Sequence, residues 1–182
     1  FDGLLIGGDL FDSSDFKLED IAALGGLDTE IHFVTGNHEG YVKGFKGLLA
    51  RFPVLNINVL ENAAAQVRGI NLIGVSDQQP VQARAAAVEQ MSREGAFNLA
   101  LVHQPSIWER TQSKVDLMLC GHTHKGQIFP FNFLVRLQFH HVHGLFVEGG
   151  STLYVSSGAG CWGPRMRLGS RNEIVMIELR PA

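Results

Sequence analysis

Four short runs in this chain each end an apolar stretch with residues of the kinds that bind metals, and this arrangement constrains the fold most. The runs are GGDLFD (7–12), TGNHEG (35–40), ALVHQ (100–104) and LCGHTH (119–124). Each follows or completes a stretch that is typical of a buried strand. In an open α/β sheet, the carboxyl ends of the strands border one crevice. The pattern therefore predicts that Asp, Asn and His side chains from distant parts of the sequence converge on one point.

The types of these side chains indicate a divalent transition-metal site. They offer oxygen and imidazole nitrogen without a thiolate, and the candidate ligands are Asp9, Asn37, His103, His122 and His124. Asp9 has two carboxylate oxygens and is able to bridge two ions. In an extended chain, His122 and His124 would point to the same side, about 7 Å apart, which suits one imidazole on each ion of a pair. His38 is then free to act on a substrate.

The rest of the chain alternates strand and helix at first and becomes rich in strands later. Helices are predicted over 16–27, 41–52, 81–95 and 106–112. Strands are predicted over 4–8, 31–36, 54–60, 65–70, 71–75, 98–102, 115–119, 151–158 and 173–179, with a possible hairpin that turns at Gly69. This order favours a layered α/β sandwich. A length of 182 residues fits a single domain over 1–182.

Composition excludes some classes of protein and leaves one question open. The net charge is −3 with 18% charged residues, so nucleic acid is not indicated as a partner. The sequence contains no apolar run of transmembrane length and no visible signal peptide. Cys120 is interpreted as a small buried hydrophobe. Whether it meets Cys161 depends on the fold.

In this order, the motifs GDLFD, GNHE, LVHQ and GHTH resemble those of the calcineurin-like metallophosphoesterase family over nearly the whole chain. Further segments resemble the branch with membrane-anchored bacterial phosphodiesterases and transmembrane proteins that carry a metallophosphoesterase domain. These segments are GVSD (74–77), GHTHKGQIFP (121–130), YVSSGAG (154–160) and MRLGSRNEI (166–174). The resemblance implies a four-layer α/β/β/α sandwich of two mixed sheets flanked by helices, with a dinuclear centre at the strand ends.

The resemblance also implies a role for each matching residue. Asp9 matches the carboxylate that bridges the two ions. Asn37, His103 and His122 match the ligands of one ion, and His124 matches a ligand of the other. His38 matches the catalytic histidine, and Asp12 matches the carboxylate that orients it. The implied cofactors are two divalent ions of the Mn, Fe or Zn type. The implied reaction is hydrolysis of a phosphomonoester or phosphodiester by a metal-activated hydroxide.

One departure from the family pattern leaves an alternative open. The family's opening Asp-x-His motif has no counterpart here. We therefore expect that the first strand is missing, that the domain is truncated at its N-terminus, and that it keeps one full metal site and half of another. The alternative function is a ligand-depleted scaffold for protein interaction.

The substrate is the least constrained part of the prediction. Lys125 and Arg167 are candidate contacts to an anionic substrate; the alternatives are an ordinary solvated lysine and an arginine paired with Glu173. The phenylalanine-rich segment 128–146 is interpreted either as an apolar rim for a lipid-like phosphoester or a membrane surface, or as core beneath the metal loop. Membrane association through an upstream segment is the expected localisation, with the cytoplasm as the alternative.

Overall fold

Two β-sheets form the centre of the molecule in a computed structural model that describes residues 1–180. The smaller sheet consists of three parallel strands, β1 (Gly3–Ile6), β2 (Glu30–Phe33) and β3 (Ile57–Val59). The larger sheet has the order β4-β5-β6-β7-β9-β8, in which the two edge strands pair antiparallel with their neighbours and the others pair parallel. Its strands are β4 (Ala63–Val67), β5 (Ile70–Val75), β6 (Phe97–Val102), β7 (Leu117–Cys120), β8 (Gly144–Glu148) and β9 (Ser151–Val155).

The helices are short and cover the outer faces of the sheets or connect strands. The α-helices are α1 (Phe45–Leu49), α2 (Val81–Met91), α3 (Trp108–Thr111) and α4 (Asn132–Gln138). The 3₁₀ helices span Leu18–Gly26, Glu39–Tyr41, Phe52–Leu55, Pro105–Ile107, Gln112–Lys114 and His124–Gly126. The predicted helices over 81–95 and 106–112 are therefore present with shifted ends.

The central strands β5, β6 and β7 of the larger sheet are buried on both faces, which is why they are nearly continuous apolar runs in the sequence. Leu72, Leu99 and Leu101 face the smaller sheet in the layer between the sheets. Their neighbours along the strands pack on the other side with α2 and Trp108. A third cluster lies between the smaller sheet and the helices that cover it. These layers confirm the predicted metallophosphatase-type α/β fold.

The predicted helix over 16–27 is present as the 3₁₀ helix Leu18–Gly26. Its apolar residues recur at every third position, Leu18, Ile21, Leu24 and Leu27, and all four pack on the smaller sheet. Residues three apart align on one side of a 3₁₀ helix. The spacing of three, rather than of three and four, explains the tighter helix.

Two predicted elements between positions 41 and 60 are shorter than expected. The helix over 41–52 is reduced to α1, because Gly44 precedes it in the left-handed conformation with φ 79°. The strand over 54–60 is reduced to β3, because Phe52–Leu55 forms a 3₁₀ helix and Asn56 turns the chain with φ 57°. The predicted hairpin is confirmed, since β4 and β5 join through Arg68 and Gly69 with φ of 49° and 85°.

The late part of the chain differs most from the prediction. The predicted strand over 173–179 is wrong, because this segment is assigned to no strand and Ile174 and Met176 are 88% and 79% exposed. The predicted strand over 151–158 ends at Val155. Sequence reasoning missed α4 and β8.

Two further sequence questions have structural answers. Cys120 and Cys161 are both free thiols, the first buried on β7 and the second half-buried. Among the described residues, no helix combines the length and the hydropathy that crossing a bilayer requires.

Candidate metal centre

Four loops that follow β1, β2, β6 and β7 meet at one end of the sandwich, as the sequence predicts. Asp9 and Asn37 come from the smaller sheet, and His103 and His122 come from the larger one. The close approach requires glycine at two positions. A Cβ on Gly36 would overlap the Asp9 carboxylate, and one on Gly8 would lie 2.9 Å from Nδ1 of His103. The glycines beside these side chains therefore allow the loops to pack together.

The Nε2 atom of His103 is at the centre of the cluster. It lies 3.0 Å from Oδ2 of Asp9, 3.1 Å from Oδ1 of Asn37 and 3.0 Å from Nδ1 of His122. Ligand atoms of Asp9, His103 and His122 all lie within 4.8 Å of one another. We call the side chains of Asp9, Asn37, His103 and His122 the cage.

Tautomer chemistry shows that the cage fits a cation. Nδ1 of His103 lies 2.7 Å from the carbonyl oxygen of Gly7, so this nitrogen carries a hydrogen and donates it. In the neutral ring, Nε2 then presents a lone pair. The oxygens of Asp9 and Asn37 that it faces also present lone pairs. A single ring hydrogen on Nε2 satisfies only one neighbour, whereas a metal ion accepts all of these lone pairs at once. A carbonyl on the far nitrogen is the usual support of a metal-binding histidine.

The pKa values at the cage shift in different directions: those of Asp9 and His122 are lowered, and that of His103 is raised. Burial alone would raise the pKa of Asp9, but the hydrogen bond and charge of His103 hold it below its ordinary value. Burial would lower the pKa of His103, but Asp9 and then Asp77 raise it. Burial, reinforced by the nearby His103, lowers the pKa of His122 to about 4, so that ring is neutral at pH 7.

His124 is not among the residues whose ligand atoms lie within 4.8 Å of one another, and its side chain bonds to Arg167. Nδ1 of His124 lies 3.2 Å from Nη2 of Arg167. Burial, followed by the charge of Arg167, lowers the pKa of His124 to about 4. The segment is not extended as expected, because His122 and His124 have φ of 68° and 49° and a 3₁₀ turn begins at His124. The turn points the two imidazoles to different neighbours.

His38 lies between two carboxylates at the edge of the cage. Its Nε2 is 3.9 Å from Oδ2 of Asp9, and its Nδ1 is 3.8 Å from Oδ2 of Asp12. The side chain of His38 is 23% exposed, so it is reachable from solvent. Its backbone N–H donates to Oδ1 of Asp9 at 2.9 Å. This position suits a group that acts on a molecule bound at the cage.

The two cations predicted to contact substrate are placed differently. Lys125 is exposed, with a left-handed backbone of φ 53°. The guanidinium of Arg167 donates to the backbone carbonyls of His124, Ser157 and Gly160 at 3.0, 2.6 and 2.6 Å. Arg167 thus ties the histidine loop to the loop after β9, and Glu173 instead accepts from the backbone N–H of Ser157.

Two residues at the site were missed by sequence reasoning. Glu39 is fully buried and its carboxylate accepts backbone hydrogen bonds from the loops after β1 and β2. Burial raises the pKa of Glu39, and the N–H donors oppose that shift. Nδ2 of Asn37 donates to the hydroxyl of Tyr41 at 3.0 Å, which turns Oδ1 of Asn37 toward His103. The Glu in GNHEG was a visible signal for the first residue, but no pattern indicated Tyr41.

The fold and cage define a metal-dependent phosphoesterase domain, and comparisons with known proteins agree. Residues 1–126 match the family described as calcineurin-like phosphoesterase. The chain belongs to this family, which confirms the resemblance and the predicted class, a metallophosphoesterase. The family implies divalent metal ions, and the cage is a candidate site for them.

The curated relatives are longer than this chain. An uncharacterized metallophosphoesterase of Helicobacter pylori is 38% identical over 99% of the chain and 51% of its own length. The transmembrane protein with metallophosphoesterase domain of Bos taurus is 34% identical over all of the chain and 46% of its own length. Its counterpart in Danio rerio is 32% identical over all of the chain and 46% of its own length. The chain therefore spans about half the length of these relatives.

Proposed function

We propose that this domain hydrolyses phosphoesters with the help of divalent metal ions. The observation that carries the proposal is the convergence of Asp9, Asn37 and His122 on Nε2 of His103. We assign these four residues to one ion, and His124 with the second oxygen of Asp9 to a second. When bound, such ions polarise phosphoryl oxygens and lower the pKa of water enough for it to attack phosphorus at neutral pH.

The other residues of the site would handle the substrate. His38, partly exposed and flanked by Asp9 and Asp12, is positioned to give a proton to the leaving oxygen or to stabilise its charge. We keep Lys125 as a proposed contact to the anionic substrate. Arg167 remains a proposed phosphate contact, although its bonds to carbonyl groups support a role in holding His124.

Metal analysis beside an activity assay tests this function. We expect the purified chain to bind Mn²⁺ and to release nitrophenol slowly from bis(p-nitrophenyl) phosphate or p-nitrophenyl phosphate, because only one of the two proposed ions has a full set of candidate protein ligands. The variant His103→Ala should lose both properties. The matched control His140→Ala removes an imidazole that is 81% exposed and should change neither. Absence of both Mn²⁺ binding and turnover would favour the alternative function, a ligand-depleted scaffold for protein interaction.

We further propose that the substrate is a lipid-like phosphoester presented at a membrane surface. The phenylalanine-rich segment is on the surface rather than in the core, since no residue of α4 is buried. It forms an apolar rim consisting of Phe129, Phe131, Phe133, Leu134, Leu137 and Trp162, which are 42% to 83% exposed. The segment that carries most of the rim adjoins the cage, because the ring of its Phe139 packs edge-on against His122 with centroids 5.4 Å apart.

The apolar composition and the exposure of the rim support an interaction with an apolar partner, because exposed apolar patches usually mark such sites. The vertebrate relatives are named as transmembrane proteins, which supports a location at a membrane for the whole protein. Binding to phosphatidylcholine vesicles would test the location. Comparing a soluble phosphodiester with a short-chain phospholipid would test the substrate class.

A further inference from the structure

The loop that follows β5, residues Ser76–Gln78, contains the last two residues of the GVSD motif and is not part of the cage. It bonds to the loop that carries Asn37. The backbone N–H of Asp77 donates to the carbonyl of Thr35 at 3.1 Å, and the hydroxyls of Ser76 and Thr35 are 2.7 Å apart. The amide of Gln78 donates to the carbonyl of Gly36 at 2.5 Å. Three consecutive residues of the larger sheet's loop therefore bond to the smaller sheet's loop.

Gln78 reaches both sides of the segment that holds Asn37 and His38. Besides its bond to Gly36, its side chain packs against Gly40, where an added Cβ would overlap the Gln78 amide. Gln78 is exposed overall, so removing its amide opens no cavity in the core. Its contacts nevertheless fix the two glycines between which Asn37 and His38 lie.

Asp77 points the other way, toward the loop that carries His103. The amide of Gln104, the next residue after His103, donates to Oδ2 of Asp77 at 2.6 Å. The other oxygen of Asp77 pairs with Arg84 of α2, whose guanidinium also donates to Ser106 at 3.3 Å. The side chains of Asp77 and Arg84 are 1% and 5% exposed. Separating a buried charge pair leaves an uncompensated buried charge and is strongly destabilising, so this pair fixes the 76–78 loop to α2.

These contacts connect ligands that belong to different sheets. Asn37 is carried by the smaller sheet and His103 by the larger, and their ligand atoms are 3.1 Å apart. We propose that Asp77 and Gln78 are positioning residues that hold the two ligand loops at the separation a metal ion requires. The inference rests on the proposed function, since it presumes a metal ion in the cage. Residues that support metal ligands typically contribute about 10–100-fold to metal affinity or activity.

The variant Gln78→Met tests the inference, because methionine keeps the length of the side chain and loses the amide donor. We expect calorimetric titration of the full chain to show Mn²⁺ affinity about 10-fold weaker than in the unchanged protein. The visible spectrum of bound Co²⁺ should also shift, because Asn37 is displaced. The matched control is Gln66→Met, on an exposed glutamine of β4 that donates to Asn71 at 2.8 Å. The control should bind both metals as the unchanged protein does.

Three outcomes are distinguishable. Weaker binding in Gln78→Met, with metal-free unfolding temperatures equal in the two glutamine variants, supports the inference. Unchanged Mn²⁺ affinity and an unchanged Co²⁺ spectrum in Gln78→Met overturn it, as does a loss of affinity that Gln66→Met shares. Failure of the unchanged protein to bind Mn²⁺ overturns the proposed function and this inference together. A second variant, Asp77→Asn, should weaken Mn²⁺ binding in the same direction if it folds.

Discussion

Oε2 of Glu39 accepts the backbone N–H of Asp9 at 3.0 Å and that of Gly36 at 2.6 Å, so one oxygen ties together two loops of the smaller sheet. Oε1 accepts from Leu10 and Phe11 at 2.6 and 3.3 Å. Four backbone donors of the candidate site therefore depend on one buried carboxylate. Buried backbone groups are nearly always paired, which explains why a charged side chain is buried here.

Replacing Glu39 should destabilise the fold as well as the site. Glu39→Gln places an NH₂ group against backbone donors, and an unsatisfied buried donor costs about 1–3 kcal/mol. We expect chemical denaturation to show that the free energy of unfolding falls by at least that amount. Glu19→Gln, at a side chain that is 74% exposed, is the matched control and should change stability little. Equal stability of the two variants would contradict the role given to Glu39.

His38→Ala should separate catalysis from metal binding. His38 is at the edge of the cage, and proton transfer by a positioned side chain contributes about 10²–10⁴-fold. We expect kcat to decrease by about 10²–10⁴-fold while the metal content stays constant. An activity assay and elemental analysis of the same sample measure the two quantities. His140→Ala serves as the control. Full activity in His38→Ala, or metal lost together with activity, would show that the assignment is wrong.

The two proposed ions should differ in affinity. One has four candidate protein ligands, whereas the other has His124 and a share of Asp9, too few to hold a divalent ion firmly against water. Titration should therefore give close to one tightly bound ion per chain. His103→Ala should abolish that binding, and His124→Ala should preserve it. Two equally tight ions, or loss of the tight one in His124→Ala, would contradict the ligand assignment.

The apolar rim should matter for lipid and not for soluble substrates. Leu137 is 83% exposed on α4, so Leu137→Glu adds a charge to the rim without disturbing a core. We expect weaker co-sedimentation with phosphatidylcholine vesicles and slower hydrolysis of a phospholipid, with the rate on bis(p-nitrophenyl) phosphate unchanged. Val54→Glu, at a side chain that is 77% exposed beside β3, is the matched control. Equal vesicle binding by both variants would argue against the membrane proposal.

The two thiols should react at different rates. Burial raises the pKa of the Cys120 thiol, and its side chain is covered on β7, whereas Cys161 is partly exposed. A thiol reagent should therefore label Cys161 rapidly and Cys120 only after denaturation. Mass spectrometry of the labelled peptides distinguishes them. Rapid labelling of Cys120 in the folded chain would contradict the packing of β7.

The sequence predicted the cage because each ligand follows a buried strand, and parallel strands end at the same side of a sheet. That rule alone was enough to predict the convergence of Asp9, Asn37, His103 and His122. The bonds of Arg167 to Ser157 and Gly160 were not predictable, because the acceptors are backbone carbonyls, which are the same for every residue type.

Errors in the secondary structure have a similar origin. The segment 173–179 has strand-like composition, but a strand also needs a neighbouring strand with free backbone groups, and that neighbour is not encoded locally. For α4, a helix that is apolar on its exposed side, as at Leu134 and Leu137, resembles a core segment in the sequence.

The division of the cage between the two sheets has a consequence for folding. Asp9 and Asn37 are carried by the smaller sheet, and His103 and His122 are carried by the larger one. An ion held by all four would therefore cross-link the two sheets in the way that a disulfide joins two chains. Ligand at 100 times its dissociation constant stabilises a folded state by about 2.7 kcal/mol. Here that energy would be concentrated at the carboxyl ends of the strands and would resist sliding of one layer over the other. A depleted protein would accordingly begin to open at this end.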